Sequence, residues 1–423
     1  MEKINLPSLL LISAALLLNA FISNSASAQA KKKVLFLGNS YTAYNNLPQM
    51  VADVALSAGD TVVFSSNTPG GFTLQGHSTN ATSLSLLAAG DWDHLVLQEQ
   101  SQLPSFPQSQ VQSSCYPFAR ALDSIAQSLN PCVKTVFYMT WGRKNGDASN
   151  CASWPPVCSY AGMDSLLRLR YMQMASDNDA MVNPVGAVWR HIRNNLPGIE
   201  LYQTDESHPS LAGSYAAACG FYTAFFRKDP SLIVFDAGLN PVTASQIRQA
   251  AKEVVFDSLS TWLVDAYDAN ASFTSNINGL SVGFQNASIN SNSYLWDFGD
   301  GNSSTLLNPT HSYASSGTYL VTLTATNCFS TSTDSIILNF SNTGLNEIEN
   351  TIQLFPNPAS DEIRFHTSNQ NLLQFELIGI DGQVLGKFDC DIKSVHIQNL
   401  PQGTYFIKLL LKDRVVIKSF QKM

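Results

Sequence analysis

The sequence predicts an α/β domain built on a parallel sheet, followed by two all-β sandwich domains. Three observations predict it. Between about Lys33 and Asp268, short apolar runs alternate with stretches whose apolar residues recur at helical spacing. From Ala271 the texture changes to short alternating runs rich in Ser, Asn and Thr, the pattern of small β-sandwiches. The chain, at 423 residues, exceeds what one compact core holds, and its length alone suggests about two to four domains.

Taken in order, Val34 to Leu37 is a continuous apolar run bounded by Gly38, as a strand buried on both faces requires. Leu47, Met50, Val51, Val54, Ala55 and Ala58 then recur at helical spacing, so Ser40 falls between a strand and a helix. Further strands are expected at Thr61 to Phe64, His94 to Leu97, Thr135 to Met139 and Ile199 to Tyr202, with one helix running through Val111, Cys115, Phe118, Leu122, Ile125 and Leu129. Trp189 and His191 lie on an amphipathic stretch ending near Asn195 and read as packing residues. Thr243 to Gln246 reads as a capping box opening a last helix, with Ile247, Ala251, Val254, Leu259 and Trp262 on one face.

Two motifs carry chemistry. Gly38-Asn39-Ser40-Tyr41-Thr42 supplies a hydroxyl, and Asp205-Glu206-Ser207-His208-Pro209 supplies an imidazole with a carboxylate three residues before it. A serine becomes a nucleophile when an imidazole takes its proton, and an acid on the far ring nitrogen fixes the tautomer that can do so. In parallel sheets reactive groups gather at the carboxyl ends of strands, so both motifs, each following a predicted strand, should converge. The bland alternatives are Ser40 as a helix cap and Asp205 with His208 as metal ligands. Two ligands with no third at ligand spacing make a poor metal site. After the fourth strand, Trp141 to Asp147 reads as a loop that can face substrate, with Trp141 and Arg143 as its binding residues, or as a solvated turn.

On these motifs, about Lys33 to Asp268 resembles the SGNH (GDSL-like) hydrolases, with Asn39 where the family more usually has Asp. The resemblance implies a flavodoxin-like hydrolase fold and an acyl-enzyme mechanism: Ser40 as nucleophile, His208 as base, Asp205 as its orienting acid. Pro69-Gly70-Gly71 is similar to the block whose glycine amide joins the oxyanion hole, which points to Gly71, with Gly70 beside it. The third block normally ends a strand with Gly-x-Asn-Asp, and here the region reads Leu97-Gln98-Glu99-Gln100-Ser101. The Asn is missing. Gln98, then Gln100, is the substitute donor, beside the amides of Ser40 and Gly71; the alternative for Gln98 is a satisfied polar residue at a strand end. No cofactor is implied.

Composition fits an exported enzyme. Lys and Arg total 24 against 32 Asp and Glu, a net charge of −8 that disfavours nucleic acid as a partner. Lys3, an apolar stretch from Leu9 to Ile22 and Ala26-Ser27-Ala28 read as a secretory signal over residues 1–28, and no later segment is apolar and long enough to cross a bilayer. Seven cysteines suit an oxidising compartment. Cys151 and Cys158 bracket a proline-containing turn and read as a local disulfide, Cys115 and Cys132 are a second candidate pair, and Cys219, Cys328 and Cys390 read as small buried residues.

Residues 271–340, with Trp296-Asp297-Phe298-Gly299-Asp300-Gly301 and then Pro309, His311, Tyr313, Gly317 and Tyr319, resemble the polycystic-kidney-disease (PKD) repeat. Trp296 is expected in the core and Asp300-Gly301 in a hairpin turn, while Asp297 and Asp300 are candidate ligands for a structural calcium or plain turn residues. Residues 348–423, with Leu354 to Ala359, a hairpin at Gly379 to Val384 and Leu400 to Phe406 leading into a last strand, look like the C-terminal sorting domain of the type IX secretion system of Bacteroidetes. That resemblance implies the secretion machinery as a partner and passage through the periplasm to the cell surface or medium. The function expected is a secreted serine esterase acting on carboxylic esters, O-acetyl groups of a polysaccharide foremost. The alternatives are a lipid or short-chain acyl esterase and, from another class, a surface adhesin or glycan-binding protein whose hydrolase fold is inactive.

Overall fold

The computed structural model describes residues 29–341, 352–367, 372–389, 394–411 and 415–423. The expected signal segment, most of the linker after residue 340 and Cys390 lie outside the described residues. The chain divides into two compact units, 1–267 and 268–423.

In the first unit β1 (Lys31–Leu37) leads into the short α1 (Ser40–Ala43), a 3₁₀ turn at Tyr44–Asn46 and α2 (Leu47–Ser57). The chain continues through β2 (Thr61–Asn67), α3 (Leu74–Thr79), α4 (Ala81–Leu87), β3 (His94–Leu97), α5 (Gln108–Ser114), α6 (Tyr116–Leu129) and β4 (Lys134–Tyr138). It ends with α7 (Tyr160–Asp177), β5 (Met181–Asn183), α8 (Val185–Asn195), α9 (Leu211–Phe226) and α10 (Pro241–Val254). All five strands run parallel in the order β2-β1-β3-β4-β5. This is the doubly wound order in which the chain reverses direction between β1 and β3, opening a crevice at their carboxyl ends. Residue 40 and residues 98–101 flank that crevice.

The apolar run Val34 to Leu37 is wholly buried because helices cover both faces of the sheet. Each such side chain contributes roughly 1.5–3 kcal/mol by leaving water. Four details differ from the sequence reading. Ile199 to Tyr202 is not a strand: Tyr202 makes only an isolated bridge to Pro209, and its amide is taken by Glu200 Oε1 at 3.0 Å. The fifth strand is instead Met181–Asn183, three residues and too short to show periodicity. The helix expected through Cys115 breaks there, with Pro117 in the first turn of α6. The last helix is capped by Asn240, whose side chain accepts from Val242 N, with Pro241 at its first position rather than a box at Thr243.

Cys151 and Cys158 form a disulfide with a Cα–Cα distance of 4.6 Å. Cys115 and Cys219 are free and buried. Cys132 is disulfide-bonded and so is not paired with Cys115. Cys328 is also disulfide-bonded, not the small free thiol expected, because spacing along the chain does not report which sulfurs fold together.

The second unit is antiparallel throughout its described sheets and contains two separate apolar clusters. The first lies among β6 (Phe273–Asn278), β7 (Ser281–Asn286), β8 (Ser293–Asp297), β9 (Ser303–Ser304), β10 (Thr310–Ser312), β11 (Gly317–Thr326) and β12 (Thr331–Phe340). Trp296 is fully buried in that cluster. Asp297 Oδ1 accepts from Gly299 N at 2.9 Å, Asp300 Oδ1 from Asn302 N at 3.0 Å, and Asp300 Oδ2 meets His311 Nε2 at 2.7 Å. Carboxylates so engaged fit a turn, and among the described residues no group of three or more His, Cys, Asp or Glu is disposed here to supply the six or more oxygens that calcium takes. The second cluster lies among β13 (Ile352–Phe355), β14 (Glu362–Thr367), β15 (Leu372–Ile378), β16 (Val384–Asp389), β17 (Ser394–His396), β18 (Gly403–Leu411) and β19 (Val415–Lys422).

Candidate active site

The residue after β1 is Gly38, where a side chain has no room: a Cβ would lie 2.4 Å from Thr42 Oγ1 and 2.8 Å from Gln98 Oε1. Asn39, in extended conformation, caps α1 by accepting from Tyr41 N at 3.1 Å. The cap is thus Asn39, and Ser40 is the first helical residue. Its amide belongs to the leading N–H groups of the helix, which have no intrahelical acceptor.

Ser40 Oγ lies 2.8 Å from His208 Nε2, and His208 Nδ1 makes a short contact with Asp205 Oδ2. Because Nδ1 faces a carboxylate, the hydrogen-bond network assigns its proton there and leaves Nε2 to accept from Ser40. Asp205 Oδ1 also accepts from Ser207 N at 3.0 Å and His208 N at 2.9 Å. Partial burial works against its charge, but the bonds from the His208 ring and these amides prevail and hold the carboxyl below its usual range. The two motifs are 168 residues apart in the chain. They meet although the second does not follow a strand of the sheet.

What holds the second loop is a set of ties from the loop after β4 and from α1. Trp141 Nε1 donates to Ser207 O at 3.1 Å, Lys144 N donates to Glu206 O at 2.9 Å, and Tyr41 OH meets Ser207 Oγ at 2.6 Å. Burial raises the Tyr41 hydroxyl's pKa, keeping it a neutral hydroxyl. Trp141 is fully buried, stacked between Tyr41 at 4.8 Å and Trp189 at 3.7 Å. It is a buried pillar under the loop, not the exposed loop residue expected. Trp189 is likewise buried packing. Arg143 is held by Asp147 at 3.2 Å within the loop after β4, and Asp147 also accepts from Gln102 Nε2 at 2.7 Å, so Asp147 ties that loop to the loop after β3.

Gln98 is placed otherwise than a side-chain oxyanion donor requires. It is fully buried, its Oε1 accepts from Asn39 N and Thr42 Oγ1, both at 2.9 Å, and its Nε2 donates to Glu99 O. Both ends of the amide are spent inside the junction. Gln100 is also engaged: its Oε1 accepts from Gln102 N and Leu103 N, and its Nε2 reaches Gln102 Oε1 at 3.1 Å. Gly71 has a φ of +68°, with open space where a Cβ would be, and its loop is fastened by Asn39 Nδ2 donating to Phe72 O at 2.9 Å. Gly70 is exposed beside it.

Three features escaped sequence reasoning. His77, buried, sets Nε2 on Gly38 O and Nδ1 on Ser83 Oγ, both at 2.8 Å, and burial lowers its pKa, so a neutral imidazole braces the strand end. Glu99 is buried, accepts from Leu74 N at 3.1 Å and Gln100 N at 2.6 Å, and burial raises its pKa to about 7 against those bonds. Tyr44 stacks on the His208 ring. The Asn45-Asn46 pair was the available signal for the last, since Asn is a residue that tolerates left-handed backbone. Among the described residues no group of three or more His, Cys, Asp or Glu is disposed to hold a metal.

Residues 266–340 match the family model of the PKD domain, and residues 353–422 that of the secretion system C-terminal sorting domain. Among curated proteins, the pre-pro-metalloprotease PrtV of Vibrio cholerae is 52% identical over 60 residues; the match covers 13% of this chain and only 6% of that relative. A solved DUF4886 family protein from Bacteroides uniformis is similar at 18% identity over 53% of this chain and 95% of its own, with a TM-score of 0.46. A protein described as an SGNH hydrolase from Slackia heliotrinireducens is similar at 27% identity over 45% of this chain and 97% of its own, with a TM-score of 0.39. The sorting-domain match marks the chain for secretion or the cell surface. Among the described residues no helix is long and apolar enough to cross a membrane.

Proposed function

We propose that the first unit is a serine esterase. Ser40 Oγ attacks an ester carbonyl as His208 Nε2 takes its proton, the alkoxide leaves with that proton, and water repeats the cycle on the acyl-enzyme with His208 again as base. Asp205 orients the imidazole and stabilises the imidazolium. The observation that carries this reading is the 2.8 Å contact of Ser40 Oγ with an imidazole whose other nitrogen is held by a carboxylate. The oxyanion is assigned to backbone amides, Ser40 N at the start of α1 and Gly71 N in its turn, with no glutamine side chain, since Gln98 is consumed in the junction. The sorting domain and the PKD module support an extracellular substrate, and an O-acetylated polysaccharide is the class proposed.

The test is kinetic. Ser40→Ala and His208→Ala should each remove nearly all turnover of nitrophenyl acetate, Asp205→Asn should cost less, and the Ser40/His208 double variant should be little worse than either single one, because the residues act as a unit. Turnover within about tenfold of the parent in Ser40→Ala would sink the assignment. Release of acetate from acetylated xylan or pectin, absent from the Ser40→Ala variant, tests the substrate class.

A further inference from the structure

The segment between α1 and α2 is strained and clamped in one place. Asn45 and Asn46 both have left-handed backbone, with φ of 54° and 50°. Single asparagines visit this region, but two in succession without a glycine persist only where the surroundings over-determine them, and such strain collects at functional sites. Here the surroundings are visible. Asn45 Nδ2 reaches Pro209 O at 3.1 Å, Ser210 O at 3.1 Å and Ser214 Oγ at 2.8 Å. The clamp therefore spans from the nucleophile's own turn to the residues just after His208 and to the start of α9. Its result is that Tyr44 lies flat on the imidazole, with ring centroids 4.3 Å apart and planes 19° from parallel, while Tyr41 meets the same ring edge-on at 5.3 Å.

We infer that Tyr44, held by the Asn45 clamp, is a positioning residue for His208. The inference rests on the esterase reading above. Asp205 and Ser40 hold the two ring nitrogens, but the small tilts of the ring plane that the side-chain torsions allow bend those hydrogen bonds little. Tyr44 on the face and Tyr41 at the edge remove that freedom. When His208 takes the Ser40 proton, the resulting cation lies over the negative face of the Tyr44 ring, an attraction present in the transition state and absent from the neutral ground state. No bond to Tyr44 is made or broken, and substrate need not touch it.

The experiment uses the full chain with Tyr44→Leu and Tyr44→Phe. In Tyr44→Leu, kcat should fall about three- to tenfold with KM unchanged, while Tyr44→Phe, which keeps the ring, should stay within about twofold. A signature independent of turnover accompanies this. The ring current of Tyr44 should shift the His208 ring protons upfield, seen with histidine-selective labelling, and that shift should vanish in Tyr44→Leu and persist in Tyr44→Phe. The unsubstituted chain should also show a nuclear Overhauser contact between the two rings, a measurement that does not depend on any variant folding. Unchanged kcat in a folded Tyr44→Leu chain, or no contact between the rings in the parent, overturns the inference. Failure of the esterase reading looks different: Ser40→Ala would keep its turnover whatever Tyr44 does.

Discussion

Glu99 is fully buried with its Oε1 bonded to the amides of Leu74 and Gln100 and the Cys115 thiol beside it. Burial is the larger influence and moves the carboxyl from its ordinary 4.5 to about 7. Below pH 4.5 the group is protonated in folded and unfolded chains alike and folding is indifferent to it. Between there and about 7 the folded chain keeps a proton that the unfolded chain has shed, so stability falls as pH rises, and above 7 the whole penalty is present. It amounts to about 3 kcal/mol. Glu99→Gln retains the acceptor for Leu74 and Gln100 and removes the charge. Urea unfolding of this variant should show a gain of that order at pH 8 that vanishes towards pH 4.5; a gain independent of pH would contradict the account.

At the scale of elements, the junction of β1, α1 and β3 is one hydrogen-bonded unit. Gln98 at the end of β3 holds the amide of Asn39 and the hydroxyl of Thr42, Gly38 leaves the space for both, and His77 on α3 holds the Gly38 carbonyl. Ser40 is presented by this unit, whose parts come from the ends of β1 and β3 and from the helices α1 and α3. Gln98→Met keeps the volume but orphans two buried donors, at about 1–3 kcal/mol each. The variant should therefore lose about 2–6 kcal/mol in chemical unfolding of the first unit as well as activity. A variant that lost kcat alone with stability intact would restore Gln98 to the oxyanion hole.

At the scale of the whole molecule, the Ser40, His208 and Asp205 contacts all lie within the first unit, with its own apolar cluster from Val34 to Val264. The second unit contributes antiparallel sheets with separate clusters and a match to a secretion signal. Chemistry and delivery should therefore be separable. A chain ending at Tyr267 should keep kcat and KM for nitrophenyl acetate within about twofold of the full chain. Loss of that activity in a folded fragment would show that the second unit completes the site.

The sequence by itself determined the parallel sheet, the change of texture near Ala271 and the residues able to act as nucleophile, base and acid, because these follow from the local rules of apolar periodicity, turn chemistry and side-chain functional groups. Only the tertiary structure decided what those residues touch. A glutamine at a strand end is compatible with either a donor facing the crevice or a brace inside the junction. The packing of Asn39 and Thr42 against Gln98 chose the brace. Trp141 on a loop after a strand looked free to meet substrate until Tyr41 and Trp189, distant in sequence, closed on both of its faces. The imidazole's third restraint, Tyr44, depends on a backbone conformation that Asn45 can hold only through carbonyls about 165 residues away. Periodicity carries no record of such contacts, since their energies arise only once the elements have met.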